Sequence, residues 1–370
     1  MKIVVIGTRG IPEIQGGVET HCQELYPRIA AMGHDVTVIR RKPYVTPANC
    51  RHSYKGVRLI DLYAPRTKSI EAIVHTTLAV FRARAMNPDI LHIHAIGPAI
   101  MAPLARLLGM KVVMTNHGPD YDRQKWGRMA KAVLRTGERL GTRFSNRVIV
   151  ISKVISSILA NNYGRTDTTL IYNGVNIPEP AQATDCINRL GLNGGDYILA
   201  MGRFVKEKGF DDLIKAYTNL PQQMRLKFKL VIAGDADHPD SYSQSLHRLG
   251  KETDGVIMPG FVRGPMLHQL LSHAALFAMP SYHEGLPIAL LEALSYRLDV
   301  AVSNIPANCI EPLCRYTDYF PTGDTDALTA LLRTKLENAD PAAPVRRTYN
   351  LAPYNWDNIA AATVELYRTL

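Results

Sequence analysis

Residues 173–183 read Asn-Gly-Val-Asn-Ile-Pro-Glu-Pro-Ala-Gln-Ala, and this stretch decides how the 370-residue chain is divided. Two prolines and several turn-forming residues in eleven positions favour neither helix nor strand, so the segment reads as a linker. A chain of this length also exceeds what one hydrophobic core ordinarily serves. Short β-rich apolar runs lie on the N-terminal side at Ile3–Ile6, Asp35–Ile39, Ile90–Ile93, Val112–Thr115 and Arg147–Ile151. Between them fall stretches of helical period such as Val18–Met32 and Met101–Leu108. Beyond the linker the alternation restarts with Tyr197–Met201, a helix over Asp211–Tyr217, then Lys229–Ala233, Gly255–Met258, Ala275–Met279, a helix over Ile288–Leu294, and Val300–Ser303. Strands alternating with helices imply parallel sheets covered on both faces. The expected fold class is therefore α/β, with two doubly wound domains, 1–175 and 176–353, facing across a cleft. A final helical segment, 354–370, has apolar spacing at Ile359, Val364, Leu366, Tyr367 and Leu370.

Composition limits the function classes. An apolar share of 46% with 21% charged residues is that of a globular chain and too apolar for disorder. The longest apolar candidate for a membrane span, around Ile70–Phe81, is short and carries Glu71 and His75. Arg9 follows the first apolar run too closely for a signal peptide. Five cysteines, Cys22, Cys50, Cys186, Cys309 and Cys314, form no CxxC pair and no zinc spacing, which fits free thiols in a reducing cytoplasm. Charge is divided unevenly: residues 1–175 hold 25 Lys and Arg against 11 Asp and Glu, and the remainder holds 18 against 22. The overall +10 thus belongs to the first half, which suits an anionic partner.

In doubly wound sheets ligands bind beyond the C-terminal strand ends, and three clusters fall there. The first loop, Gly7 to Glu19, places Gly16 and Gly17 just before a helix, where amides and the helix dipole favour an anion. It is not GxGxxG. The second, Gly202-Arg203-Phe204-Val205-Lys206-Glu207-Lys208-Gly209, offers a planar guanidinium fork and an ammonium group. The third runs Pro280-Ser-Tyr-His-Glu284-Gly285-Leu286-Pro287-Ile288, continuing to Glu292. Pro287 is expected in a first helical turn, with the amides near Gly285–Ile288 forming another anion site. Glu284, in the loop, and Glu292, eight residues later, are expected on one helical side as acceptors for sugar and ribose hydroxyls. His117 follows the strand Val112–Thr115 and points to the same cleft. His92 and His94 alternate on a strand, but no HExxH or cysteine set accompanies them, so no metal is assigned. Asp-x-Asp pairs at 120–122, 235–237 and 324–326 share no context, while Arg203 and Lys208 offer a metal-free way to neutralise a diphosphate.

Together these clusters resemble the retaining glycosyltransferases of the GT-B fold, family-4 type, over essentially the whole chain. The resemblance rests on Gly16-Gly17-Val18-Glu19, Thr115-Asn-His117-Gly, Tyr172-Asn-Gly-Val175, Gly202-Arg203 with Lys208-Gly209, Pro259-Gly-Phe-Val262, and the Glu284 to Glu292 spacing. The opening Gly-Thr-Arg-Gly-Ile-Pro also looks like a rhamnosyltransferase subgroup of bacterial surface-polysaccharide assembly. The family likeness implies two Rossmann-like domains and a nucleotide-diphosphate sugar donor, with no cofactor. Arg203 and Lys208 would bind the diphosphate, Glu284 the transferred sugar and Glu292 the ribose. The backbone at Gly285, Leu286 and Ile288 would meet sugar and phosphate. The glycine loop would close on the diphosphate, His117 would lie by the sugar, and Gly202 and Val262 would line the donor site. It also implies that Trp356–Leu370 returns to the N-terminal domain, which would take the acceptor. Gly234-Asp-Ala-Asp departs from the Gly-Pro turn of many relatives.

Basic residues at 128, 131, 135, 139, 143 and 147 recur at steps of three or four. Arg128, Lys131, Arg135, Arg139, Arg143 and Arg147 are thus expected on one helical face, with Met129, Val133, Leu140 and Phe144 on other sides. Such a face suits an anionic inner-membrane surface and a glycan or polyprenyl-diphosphate-linked acceptor, at a cytoplasmic, peripheral location. No nucleic-acid recognition motif is present. A nicotinamide dehydrogenase would need GxGxxG and an acidic residue on the next strand, where residues 36–42 read Val-Thr-Val-Ile-Arg-Arg-Lys. A sugar-nucleotide epimerase or a non-catalytic sugar-nucleotide sensor shares the architecture and is separated by acceptor-dependent turnover.

Overall fold

The computed structural model describes residues 1–66, 70–122, 127–236, 239–310, 318–337 and 339–370. It divides into two compact units, one of Met1–Gly174 with Pro353–Leu370 and the other of Val175–Ala352.

In the first unit the strands are β1 (Lys2–Ile6), β2 (Asp35–Arg41), β3 (Ser53–Tyr54), β4 (Val57–Leu62), β5 (Ile90–His94), β6 (Val112–Asn116), β7 (Arg147–Val150) and β8 (Thr169–Leu170). They form one sheet in the order β3-β4-β2-β1-β5-β6-β7-β8, parallel except for the β3–β4 pair. β1 lies in the middle, with Ile3 beside both Val36 and Ile90. Its side chains alternate between two cores, as a period of two requires. Ile3 and Val5 join the core under helix Gly17–Ala31, while Val4 and Ile6 join the one under helix Glu71–Met86. Helix Trp356–Arg368 belongs to the first of these cores through Trp356, Ile359, Ala360, Val364 and Tyr367. A Cβ on Gly174 would approach the Trp356 ring to 2.4 Å, so a glycine is needed where the indole packs.

In the second unit β9 (Tyr197–Met201), β10 (Lys229–Ala233), β11 (Val256–Ile257), β12 (Leu276–Met279), β13 (Val300–Ser303) and β14 (Tyr319–Phe320) form an all-parallel sheet, ordered β11-β10-β9-β12-β13-β14. Its central strands are wholly buried, which is why they read as unbroken apolar runs. Parallel pairing demands crossovers; helix Phe210–Thr218 links β9 to β10, and helix Ile288–Ser295 links β12 to β13. Two doubly wound sheets are the fold class read from the sequence. Several helices were not singled out in the sequence, among them Glu71–Met86, Lys153–Tyr163, Gly264–His273 and Thr325–Glu337.

Helix Arg128–Phe144 corrects one expectation. Arg128, Lys131, Arg135, Arg139 and Arg143 lie on it, but Arg147 is the first residue of β7, its Nε donating to Thr369 Oγ1 at 3.2 Å. The inner face is not the row Met129, Val133, Leu140 and Phe144. Met129 is 84% exposed, and Gly137, Glu138, Gly141 and Thr142 are buried instead. Close approach explains this: a Cβ on Gly137 would come within 2.2 Å of the Ile96 carbonyl oxygen, and one on Gly141 within 2.5 Å of Ala99 Cβ.

Candidate active site

In the second unit, four loops leave the C-terminal edge of the sheet side by side. Gly202–Lys208 follows β9, Gly234 follows β10, Pro259–Val262 follows the short β11, and Pro280–Pro287 follows β12. Glycines set their close spacing. A Cβ on Gly234 would meet the Gly202 carbonyl oxygen at 1.8 Å, and the Gly234 amide donates to the Gly260 carbonyl at 2.8 Å. The departure Gly234-Asp-Ala-Asp keeps this contact, and Asp235 Oδ1 meets His247 Nε2 at 3.1 Å; Asp237 lies outside the described residues.

Lys208 ends a one-turn 3-10 helix, and Gly209 follows with φ +64°, a conformation that disfavours a side chain. A Cβ there would also approach the Pro280 carbonyl oxygen to 2.4 Å. The Tyr282 amide donates to the Glu207 carbonyl at 2.8 Å, and the Tyr282 hydroxyl to Asp212 at 2.6 Å. These ties bring the second and third sequence clusters together. Lys208 Nζ donates to Glu284 Oε1 at 2.5 Å, and Ser281 Oγ donates to the same oxygen at 2.7 Å. Both side chains of the ion pair are largely buried, at 18% and 11% exposure. The two residues read as separate contacts are therefore partners.

Glu284 also corrects the helical argument. The helix begins at Ile288, with Pro287 as its extended N-cap at φ −78° and ψ 107°. Glu284 is in the loop and shares no helical phase with Glu292, which lies in the second turn and is half-buried. Leu286 is buried. Gly285, Arg203 and Val262 are half-buried on the same set of loops, and Ile288, also half-buried, opens the helix. The helix Phe210–Thr218 already has Asp211 and Asp212 in its first turn, which occupy the favourable end of its dipole.

In the first unit Gly16 is the N-cap of helix Gly17–Ala31, at φ +146°. Glu19 in the first turn folds back beneath the loop. Its Oε1 accepts from the Arg9 amide at 3.0 Å and from Thr8 Oγ1 at 3.2 Å. A buried carboxylate thus takes up part of the anion-binding capacity read from Gly16 and Gly17, and Gly17 remains exposed. Arg40, fully buried, braces the same loop through the Ile11 carbonyl at 3.2 Å and is neutralised by Asp61 at 2.6 Å.

His117 lies just beyond β6 and is half-buried. The loop that carries it is held by Asn116, whose Oδ1 accepts from the Gly118 amide at 2.9 Å and whose Nδ2 donates to buried Glu138 at 2.9 Å. His117 is the outer member of a buried group that the sequence did not reveal. His94 Nδ1 meets His117 Nε2 at 2.9 Å, and Tyr26 bonds to His94 Nε2 through its hydroxyl. The Tyr26 hydroxyl also lies 2.9 Å from His92 Nδ1, which Tyr367 reaches at 2.6 Å; His92 Nε2 meets Thr115 Oγ1 at 2.7 Å. His21, bonded through Nδ1 to Asn173 Oδ1 at 2.9 Å, packs edge-on to His117 with ring centroids 5.0 Å apart. Burial holds the group neutral: His21 is lowered to about 4 and His92 to about 3, while His94 and His117 fall well below the usual histidine range. His21, His94 and His117 each offer a ring nitrogen, all within 4.8 Å of one another, and among the described residues form a group that could ligate a metal. The sequence singled out His92 and His94 because they alternate. His21, Tyr26 and Tyr367 escaped because they come from two separate helices.

Each unit is thus a doubly wound sheet with polar loops at its C-terminal edge. Residues 15–178 match the family model Glycosyltransferase Family 4, and residues 186–343 match Glycosyl transferases group 1. The chain belongs to the GT-B glycosyltransferases. Among its relatives is an uncharacterized glycosyltransferase of Methanocaldococcus jannaschii, 27% identical, covering 100% of this chain and 98% of the relative. A glycogen synthase of Mycobacterium tuberculosis is 26% identical, covering 99% and 94%. Among solved structures, sucrose-phosphate synthase of Thermosynechococcus elongatus superposes with a TM-score of 0.82 at 23% identity, covering 99% of this chain and 98% of that one. The Anabaena HepE protein, solved with UDP-glucose, gives 0.79 at 16% identity, covering 100% and 99%.

Proposed function

We propose that this glycosyltransferase transfers a hexose or deoxyhexose, with retention, from a nucleotide-diphosphate sugar to a glycan or polyprenyl-diphosphate-linked acceptor. The observation that carries the reading is the pairing of Lys208 with Glu284, beside Arg203, at the C-terminal edge of β9 and β12. Arg203 and Lys208 take the diphosphate, Glu284 the sugar hydroxyls and Glu292 the ribose. Gly202, Val262 and the backbone of Gly285, Leu286 and Ile288 line the same donor. Gly16, Gly17 and His117 are the contributions of the first unit, which takes the acceptor. HepE, solved with UDP-glucose, makes a UDP-hexose the first donor to try.

In the proposed reaction the bond from the anomeric carbon to the diphosphate oxygen breaks, and the electron pair leaves with the phosphate. An acceptor hydroxyl forms the new bond on the face the diphosphate vacates, and its proton passes to the departing phosphate oxygen. The protein's main task is to stabilise the growing negative charge on the leaving group. Arg203 and Lys208 supply the compensating positive charge themselves, so the reading needs no metal or cofactor.

A panel of nucleotide sugars, scored for thermal stabilisation and for acceptor-dependent release of nucleotide, tests the donor. One charge-assisted hydrogen bond contributes about 1.5–3 kcal/mol. Arg203→Ala is therefore expected to lower turnover roughly 10- to 150-fold while the melting temperature holds. Near-normal product formation by that variant would overturn the assignment of the diphosphate site, and release of nucleotide without any acceptor would favour an epimerase or a hydrolase. We also assign the surface of helix Arg128–Phe144 to an anionic membrane leaflet, where a peripheral enzyme meets a lipid-linked acceptor.

A further inference from the structure

We propose that Ser281 is a positioning residue that fixes the carboxylate of Glu284, and that Ser303 and Asn308 hold Ser281 in turn. The inference rests on the reading that Glu284 takes hydroxyls of the transferred sugar, but the fixed carboxylate is a property of the second unit alone.

A carboxylate on a loop has no helix or strand to orient it. Glu284 is followed by Gly285 and precedes the helix that begins at Ile288. What orients it is a line of hydrogen bonds whose directions are forced by the groups that make them. Paired with Lys208, the Glu284 carboxylate only accepts, so Ser281 Oγ gives its single proton to Oε1 at 2.7 Å. The Ser281 carbonyl can also only accept, and it does so from Ser303 Oγ at 2.5 Å. The Ser303 hydroxyl has then used its proton, and its oxygen accepts from Asn308 Nδ2 at 3.0 Å. Asn308 Nδ2 reaches the Ser303 carbonyl as well, at 3.0 Å, which settles which end of that amide is nitrogen. The Asn308 carbonyl accepts in turn from the Tyr319 hydroxyl at 3.1 Å. From Asn308 to Glu284 no bond in the line can be reversed.

Burial separates these residues from those that meet a ligand. Ser281, Ser303 and Asn308 are each fully buried and have no surface to offer a substrate. Ser303 closes β13 and Asn308 lies in the loop beyond it, so another loop at the same sheet edge acts on the site without entering it. The Ser281 carbonyl and the Tyr282 amide belong to one peptide unit. That unit is clamped from both sides, by Ser303 Oγ and by the Glu207 carbonyl. Lys208 also holds Glu284, but in the proposed complex its ammonium is shared with the diphosphate. Ser281 has no second duty, so its bond is the one that keeps Glu284 in place while Lys208 serves the phosphate. A carboxylate that must meet a sugar hydroxyl in one geometry gains from such a fixed anchor, since small misplacements of reacting groups cost large rate factors.

The full chain with UDP-glucose and UDP as probes tests this. Ser281→Ala removes the donor and leaves a side chain of nearly the same volume. It is expected to lower kcat about tenfold, the size of one lost charge-assisted hydrogen bond, with little change in KM. UDP affinity is expected to hold, because UDP carries no sugar for Glu284 to meet. Ser303→Ala is expected to lower kcat by a smaller factor. Unchanged kcat in folded Ser281→Ala overturns the proposal, as does unchanged kcat in Ser303→Ala where Ser281→Ala does not fold. Equal losses of turnover and of UDP affinity also overturn it, since they mark a disordered loop rather than a misplaced carboxylate. The contact itself is read without any donor, from melting temperatures of Ser281→Ala, Glu284→Ala and the double variant. Either substitution alone breaks the bond, so the combined fall is expected to be smaller than the sum of the single falls. Additive falls overturn the contact. Absence of UDP-glucose turnover by the unsubstituted protein would count against that donor and leave the melting comparison to decide whether Ser281 holds Glu284.

Discussion

His21 keeps its neutral form down to about pH 4 in the folded chain because burial removes the water that would solvate an imidazolium. Unfolded, it titrates near the ordinary histidine value of about 6.5. Between those two values the unfolded state binds a proton that the folded state refuses, so stability falls as pH falls. His21 alone removes roughly 3 kcal/mol by pH 4, and His92, lowered to about 3, acts in the same direction. Urea unfolding measured between pH 7 and pH 4 should show this decline, steeper than the carboxylates alone give. Substituting Asn for His92 should flatten it, and a curve level across that window would mean that the histidines are not buried as described. At this scale the sequence was least informative. Lys208 and Glu284 were both legible as chemistry, but their mutual bond was not, because it is made by a glycine turn at Gly209 closing on the Pro280 loop. The histidine group was illegible for a similar reason: spacing along one strand reveals pairs on that strand and nothing from a neighbouring helix.

Elements were more readable than sites. Most central strands have the unbroken apolar run that burial on both faces requires, β5 being interrupted by buried His92 and His94, and those runs fall where parallel strands are found. Helix Arg128–Phe144 shows where periodicity stops working, since its inward face is made of Gly137 and Gly141 and has no apolar stripe to detect. Helix Trp356–Arg368 shows where it succeeds, with Ile359, Val364, Leu366 and Tyr367 all buried. That helix finishes a core rather than decorating it. Trp356→Ala is expected to destabilise the first unit by about 3–5 kcal/mol, the usual result of emptying a buried aromatic site. Chemical denaturation followed by far-UV circular dichroism reads this directly, and a loss below about 1 kcal/mol would show that the indole is not a core residue.

For the whole molecule, charge is the property that the sequence states most plainly. The excess of 25 basic over 11 acidic residues in 1–175 has one concentrated outlet in Arg128, Arg135, Arg139 and Arg143, exposed on a single helix beside exposed Met129 and Phe144. Basic residues near an anionic bilayer contribute about 1 kcal/mol each, and salt screens the attraction. The protein is expected to float with vesicles containing phosphatidylserine at low salt and to be released at high salt, whereas phosphatidylcholine vesicles should leave it in solution. Charge reversal at Arg135, Arg139 and Arg143 should abolish flotation while the melting temperature holds. Flotation unaffected by salt or by those substitutions would remove the membrane assignment. No helix among the described residues is long and apolar enough to cross a bilayer.

Gly174 and Trp356 meet inside one core although the whole second unit lies between them in the chain. On the ribosome this reverses the usual order, in which the domain made first is finished first. The second unit can complete its sheet while the first still lacks Trp356, Ile359, Val364 and Tyr367, and exposes the surface they will cover. Tyr367 is also the last member of the bonded chain that ends at His117. A ribosome paused between the two units therefore holds a protein whose first domain has all eight of its strands but neither its full core nor its finished histidine network.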